Sequence, residues 1–149
     1  MLRITRRSAV AAATVLSAAA ASLLAGGGAA HAAPANGYFL SLANAGSCQG
    51  DLLFDRVASG RNLAQGVIST DRSTPSYIDC VGALYRSSNG GRTWSEVSST
   101  HSVWGNDDYA IASWTNWYAD GAAYLAKVCV HFVDGHTGRS SATACTSAH

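Results

Sequence analysis

No stretch of this sequence carries apolar residues at the 3.6-residue spacing of an amphipathic helix. Short apolar or alternating runs recur instead, and Gly, Asn, Asp and Ser separate them. Tyr, Val, Ile, Thr and Trp are frequent in these runs, as is usual in β-strands. The pattern predicts strands near residues 38–43, 51–57, 63–69, 77–86, 93–99, 109–118, 124–133 and 140–146.

Chain length limits how these strands can assemble. The chain has 149 residues, and residues 1–32 have the pattern of an export signal, which leaves residues 33–149 for a single domain. About seven or eight antiparallel strands in a domain of this size are typical of an immunoglobulin-like sandwich. We therefore expect an all-β, immunoglobulin-like antiparallel sandwich with two disulfides. A small Greek-key barrel is the alternative.

The N-terminus indicates export from the cell. Three arginines within residues 2–7 precede an alanine-rich apolar run over residues 9–25, and Ala30-His31-Ala32 has the small-x-small pattern of a cleavage site. The run is too short and too rich in alanine for a transmembrane anchor. We expect cleavage after Ala32 and export by the general route, with the twin-arginine route as the alternative. The mature protein is then secreted and extracellular, without membrane insertion.

Charge excludes several classes of partner. Charged residues make up 13% of the chain, with ten Lys and Arg and nine Asp and Glu. Three of the basic residues lie in the predicted signal, so the mature chain has seven basic and nine acidic residues. A slightly acidic domain is not expected to bind nucleic acid or an anionic membrane.

All four cysteines lie in the predicted mature chain, at Cys48, Cys80, Cys129 and Cys145. An even number in an exported chain predicts two disulfides, and a metal site would need closely spaced pairs that are absent here. On the strand predicted at 124–133, Cys129 lies on the polar face, and Cys145 falls on the same face after the following turn. We therefore pair Cys129 with Cys145, and Cys48–Cys80 follows by elimination.

Residues 87–94 resemble the Asp-box, Ser-x-Asp-x-Gly-x-Thr-Trp, of sialidases and other β proteins. Ser87, Gly91, Thr93 and Trp94 match this motif, and Asn89 stands where it has Asp. The motif folds a β-hairpin, and Asn-Gly alone is a strong signal for a tight turn. A sialidase propeller is far longer than this chain. The resemblance therefore implies a structural turn, with Trp94 packed beneath it.

No set of residues predicts catalysis or a metal site. Glu96 is the only glutamate, which excludes a Glu–Glu glycosidase pair, and there is no Gly-x-Ser-x-Gly elbow. His131, Asp134 and His136 bracket the last predicted turn, but their order is typical of turn formation. We expect a protein that is not an enzyme and has no cofactor and no metal. A small hydrolase is the minor alternative.

Aromatic residues are concentrated between residues 104 and 124. On the strand predicted at 109–118, Trp114 and Trp117 have opposite parity, and we assign Trp114 to the core. Trp117 then faces outward beside Tyr118. Trp104 lies in residues 99–108, the longest gap between predicted strands, and Tyr109 follows it. Trp104, Tyr109, Trp117 and Tyr118 are the candidate binding residues, because exposed Trp and Tyr are common at protein and sugar interfaces.

In size, signal, alanine content, cysteine number and its single lysine, the chain resembles small exported β-proteins of actinobacteria. That group includes small protease inhibitors, surface-associated proteins and the adaptor subunits of umbrella-type antibacterial toxin particles. We expect a non-catalytic module that binds another exported protein, such as an adaptor or accessory subunit of a toxin complex. One alternative is a carbohydrate-binding domain that stacks sugars on Trp117 and Tyr118. The other is a small enzyme inhibitor that presents residues 46–50.

Overall fold

The computed structural model describes residues 38–56, 62–120 and 123–149, so the predicted signal at 1–32 lies outside the described residues. The described chain contains ten β-strands and no helix. The all-β prediction is confirmed. The strands are β1 (Tyr38–Ala45), β2 (Cys48–Arg56), β3 (Asn62–Thr70), β4 (Ile78–Ser87), β5 (Ser95–Glu96), β6 (His101–Trp104), β7 (Ala112–Trp114), β8 (Tyr118–Ala119), β9 (Leu125–Asp134) and β10 (Ala144–Cys145).

The strands form two antiparallel five-stranded sheets, an arrangement consistent with a β-sandwich. Sheet 1 has the order β1-β2-β3-β7, and β8 also pairs with β3. Sheet 2 has the order β10-β9-β4-β5, and β6 also pairs with β4. The core lies between the two sheets because the alternate residues of their long strands face each other there.

Both sheets contribute to the core. The largest buried aliphatic side chains are Leu52 and Ile68 from sheet 1 and Leu84, Val128 and Val130 from sheet 2. Burial of each contributes about 1.5–3 kcal/mol to folding. Gly82 makes the close packing possible, since a Cβ atom there would lie 2.7 Å from Ile68 Cδ1 and 2.6 Å from the Cys129 carbonyl oxygen.

The disulfides join the predicted pairs. Cys48–Cys80 links β2 to β4, so it connects the two sheets through the core, and both residues are fully buried. Cys129–Cys145 joins directly opposed residues of β9 and β10. Val128 and Val130 point into the core, so Cys129 between them faces outward, as parity predicts. Two disulfides are typical of proteins that fold in an oxidising, extracellular-type environment.

Residues 99–118 have a different strand structure from the predicted one. Residues 99–108, predicted as a loop, contain β6. The strand predicted at 109–118 is divided into β7 and β8 because Thr115 interrupts regular pairing with β3. The Gly66 N–H donates to Thr115 Oγ1 (2.9 Å), while the Thr115 N–H donates to the Gly66 carbonyl (2.9 Å). A side-chain hydroxyl thus replaces one carbonyl of the ladder.

The same replacement occurs on both sides of β10, which is shorter than the strand predicted at 140–146. Before β10, the Phe132 N–H donates to Ser141 Oγ (3.0 Å). The Val128 N–H donates to Thr146 Oγ1 (3.1 Å) instead of to a backbone carbonyl. Beyond this point the C-terminal tail stays beside β9, since the Ala126 N–H donates to the His149 carbonyl (2.7 Å). The tail therefore covers this edge of sheet 2.

The expectation that Trp114 faces the core is wrong. Trp114 is 45% exposed and lies opposite Val67, on the outer face of sheet 1. Its neighbour Ser113 lies opposite Ile68, which fills the core. Ser113 Oγ is 2.9 Å from His101 Nδ1 on β6, so the inward position of β7 holds a polar contact between the sheets.

The Asp-box-like segment forms the turn between β4 and β5. Ser87 Oγ accepts hydrogen bonds from the N–H groups of Gly91 (2.9 Å) and Asn89 (3.4 Å). The half-buried Trp94 ring lies next to Gly91, and Lys127 Nζ is 4.3 Å from its centroid. The motif therefore has the predicted structural role.

Candidate functional site

Three aromatic side chains are exposed at the end of the sandwich where β4 begins. Trp104, the last residue of β6, is 51% exposed, Tyr109 is 57% exposed, and Tyr77 is 39% exposed. His136, in the turn after β9, stacks on Tyr77 with ring centroids 4.4 Å apart. We call Tyr77, Trp104, Tyr109 and His136 the aromatic end.

The pairing of β6 with β4 determines where Trp104 points. Val103 lies opposite Cys80, and Trp104 lies opposite Asp79. Val103 and Cys80 are both buried in the core. Because successive side chains of a strand point to opposite faces, Trp104 and Asp79 lie on the outer face of sheet 2.

Gly105 determines the path of the chain directly after Trp104. Its N–H donates to the Ile78 carbonyl (2.8 Å). A Cβ atom at this position would overlap the carbonyl oxygens of Thr74 and Pro75, so the close approach requires glycine. Trp104 is therefore attached to a segment with little room to move.

Asp107 holds the outer part of the same connection. Its φ of 66° lies in the left-handed region, which Asp tolerates better than most residues other than glycine. Its N–H donates to the Thr74 carbonyl (3.2 Å), and its Oδ2 accepts from the Ser76 N–H (3.3 Å). Tyr109 follows two residues later. The aromatic rings are thus presented by an anchored connection, which reduces the entropy lost on binding.

Tyr77 and Trp104 both contact the turn after β9. The Tyr77 carbonyl accepts from the Gly135 N–H (2.8 Å). The Trp104 indole lies so close to the same residue that a Cβ atom on Gly135 would be 3.1 Å from Trp104 Cζ3. Tyr77, Trp104 and the Gly135–His136 turn therefore form one continuous surface.

Asp79 lies beside Trp104 on this outer face. Its partner on β9 is Val133, and Ser102 and His131 occupy the diagonal positions. Burial raises the pKa of Asp79, while a hydrogen bond from Ser102 and the nearby His131 act in the opposite direction. Asp79 Oδ1 is buried without a hydrogen-bond partner. A partly buried carboxylate thus lies next to an exposed indole.

Two of the four predicted binding residues, Trp104 and Tyr109, lie at this end of the sandwich, on the last residue of β6 and on the connection after it. Tyr118 lies on β8 opposite the inward-facing Ala64, and it packs against the core. Trp117 is half-buried in the connection before β8. Because β8 pairs with the beginning of β3, both residues lie away from the aromatic end.

Sequence reasoning missed Tyr77, Asp79 and His136 as members of this surface. Tyr77 and Asp79 lie in or beside a correctly predicted strand, but the residue that groups them, Trp104, lies on the unpredicted β6. The available signal was the alternation within His101–Trp104. Four residues are too few for that alternation to predict a strand.

The last turn has the geometry of a structural turn. The Asp134 carboxylate accepts the N–H groups of Thr137 (2.9 Å) and His136 (2.8 Å), and these bonds lower its pKa. Within residues 38–56, 62–120 and 123–149, no group of three His, Cys, Asp or Glu side chains could hold a metal ion.

Residues 46–50, which the inhibitor hypothesis requires as an exposed loop, form the hairpin between β1 and β2. Gly46 has a φ of 64° in the turn, and Ala45 pairs directly with Cys48. The Ser47 carbonyl accepts from the Asp71 N–H (3.1 Å). Cys48 and Gly50 are buried. The segment thus does not extend toward solvent as a loop.

No protein-family model matches this sequence, and no curated protein or solved structure matches it either. Among the described residues, no helix is long and apolar enough to cross a membrane.

Proposed function

We propose that this protein is a secreted, non-catalytic module that binds another exported protein through the aromatic end. The observation that carries the proposal is the exposure of Trp104, Tyr109 and Tyr77 on connections anchored by backbone hydrogen bonds. Protein interfaces concentrate their binding energy in a few Trp, Tyr and Arg side chains. A surface ordered before binding also loses less conformational entropy.

The scaffold supports a role as an adaptor or accessory subunit. The Cys48–Cys80 disulfide links the two sheets, and Cys129–Cys145 ties β10 to β9, so the frame that carries the aromatic end is covalently reinforced. The resemblance to adaptor subunits of umbrella-type particles is the basis for proposing an antibacterial toxin complex as the setting.

We propose a sandwich of immunoglobulin-like proportions for this scaffold. Among the described residues, seven strands have three or more residues, and they divide into four in sheet 1 and three in sheet 2. This division supports the proposal, since immunoglobulin constant domains have the same numbers. The consecutive strands β1, β2 and β3 follow one another as a meander within sheet 1, which differs from immunoglobulin strand order.

Carbohydrate binding is the second candidate, and the position of Asp79 beside Trp104 favours it. Sugar rings stack on exposed aromatic faces, and their hydroxyl groups donate hydrogen bonds to carboxylates. This candidate places the stacking platform at Trp104 instead of at Trp117 and Tyr118.

Co-purification from culture medium tests the proposal. The tagged full-length chain is expressed in its native host as wild type, Trp104→Ala and Trp114→Ala. Trp114 is a matched control because it is a similarly exposed tryptophan on the outer face of the other sheet. We expect a stoichiometric protein partner with wild type and Trp114→Ala. Trp104→Ala should weaken binding about thirtyfold, the equivalent of about 2 kcal/mol for a central aromatic anchor.

Thermal unfolding of each variant separates a binding defect from a folding defect. Trp104→Ala should unfold within a few degrees of wild type, because about half of its side chain is already exposed. Full binding by a folded Trp104→Ala variant would contradict the proposal. Retention on polysaccharide without a protein partner would support the carbohydrate-binding candidate instead.

A further inference from the structure

We infer that the partner of the aromatic end is a positively charged protein segment that presents arginine or lysine to Trp104, Tyr109 and the neighbouring carboxylates. The inference rests on the proposed function, because it names the chemistry of the partner bound at the same surface. It follows from the distribution of charge along the sandwich and from the chemistry of the exposed rings.

Negative charge is concentrated around the aromatic end. Five of the nine acidic residues lie there, on β4, in the turn before it, in the connection after β6 and at the end of β9. They are Asp71, Asp79, Asp107, Asp108 and Asp134. Two arginines, Arg72 and Arg139, lie in the turns before β4 and after β9. Five negative charges against two positive charges leave this end with a formal charge of about −3 when its histidines are neutral.

At the opposite end of sheet 2, where β4 ends, three basic side chains outnumber two acidic ones: Arg86, Arg92 and Lys127 against Glu96 and Asp120. Arg86 donates to the Ala119 carbonyl (2.7 Å) and lies 4.3 Å from the Tyr124 ring centroid. Lys127 Nζ lies 4.3 Å from the Trp94 ring centroid. The field of this charge separation directs a cationic partner toward the aromatic end. The same field disfavours nucleic acid and anionic lipid surfaces there.

The exposed rings supply the short-range chemistry. A guanidinium or ammonium group binds the face of an indole or a phenol, and Arg also forms a planar fork that fits a carboxylate. This protein uses that contact twice at the basic end, where Arg86 and Lys127 cover aromatic rings. Among the described residues, no cation covers Trp104 or Tyr109 in this way. An incoming arginine can therefore stack on Trp104 and reach the carboxylates beside it.

Binding of an oligo-arginine peptide to the full mature protein, followed by amide and indole NMR signals, tests the inference. We expect saturable shifts at the Trp104 indole N–H and in residues 105–109 and 135–136. An oligo-glutamate peptide of the same length should cause none. Affinity should decrease as sodium chloride is raised, since salt screens exposed charges.

Charge-neutralising variants assign the effect to one end of the molecule. Asp107→Asn combined with Asp108→Asn keeps side-chain size and tolerance of the left-handed backbone, and should lower affinity about fivefold for two exposed ion pairs. Asp55→Asn combined with Glu96→Gln removes the same charge away from the aromatic end, since Asp55 on β2 pairs with Leu63 near the start of β3 and Glu96 pairs with Tyr85 near the end of β4. This control pair should change affinity by less than about twofold. Equal effects of the two pairs, or shifts centred on the basic end, would overturn the inference.

The two proposals fail in different ways. A protein partner that is captured through Trp104 but is insensitive to salt and to the Asp107/Asp108 variant would overturn the basic-partner inference and leave the proposed function standing. If no captured protein depends on Trp104, the proposed function fails, and the peptide measurement alone decides whether the aromatic end recognises cations. Shifts caused by a neutral oligosaccharide but not by oligo-arginine would overturn the inference in favour of sugar binding.

Discussion

Replacement of Asp120 by asparagine should stabilise this protein at neutral pH. Asp120 directly follows β8, is 5% exposed, and has an Oδ1 atom without a hydrogen-bond partner. Burial raises its pKa to about 6, although the charges of Arg86 and His149 act in the opposite direction. At neutral pH the folded protein therefore holds a charged carboxylate in surroundings that favour its neutral form.

The sign and size of the effect follow from proton linkage. The folded state binds the Asp120 proton more tightly than the unfolded state does, because the pKa rises from 3.8 to about 6 on folding. The stabilisation that protonated Asp120 provides is therefore complete below about pH 4 and is lost as the pH rises through about 6. The full shift corresponds to about 3 kcal/mol. Screening by nearby solvent reduces the expected gain from Asp120→Asn to about 1–2 kcal/mol.

Thermal unfolding across about pH 4 to 8 measures this effect. Above about pH 6, Asp120→Asn should raise Tm by roughly 4–8 °C, and the gain should disappear near pH 4. Asp108→Asn is the matched control, since it removes the same charge from an exposed position. A lower Tm for Asp120→Asn at neutral pH would refute the reasoning and would mean that attraction to Arg86 outweighs the cost of burial.

Three further predictions concern the scaffold. Gly82→Ala should lower the free energy of unfolding, measured by urea titration, by about 1–3 kcal/mol, because the new methyl group would overlap the Cys129 carbonyl and Ile68. Unchanged stability of this variant would show that the strands around Gly82 can move apart without cost. Tyr118→Ala should destabilise the domain by about 1–3 kcal/mol, since its ring packs against the core, yet leave partner affinity unchanged once folding is verified. Peptide mapping without reduction should yield Cys48–Cys80 and Cys129–Cys145 peptides, and a Cys80–Cys129 peptide would contradict the pairing.

Features that depend on one strand or one turn could be predicted well. In β9 (Leu125–Asp134), alternation along the strand assigns Val128 and Val130 to the core and Cys129 to the outer face. The pairing with Cys145 follows from the same parity. The turn between β4 and β5 could also be predicted, because Ser87 and the two glycines act within a few residues of each other.

Features that depend on pairing between distant strands could not be predicted. β6 is a strand because β4 pairs with it, and its own four residues carry too little pattern. Trp114 faces outward because its register partner is Val67, a residue on another strand. A shift of register by one residue would move its side chain to the opposite face.

The sequence by itself therefore determined the strand-rich class of this protein, the parity of its longest strands and the partners of its cysteines. Only the tertiary structure decided that Trp104 and Tyr77 share a surface with Asp79 and His136, while Tyr118 packs against the core. The physical reason is that alternation assigns a residue to one of two faces within its own strand. Which neighbours meet on that face depends on the register between strands that are far apart in the chain.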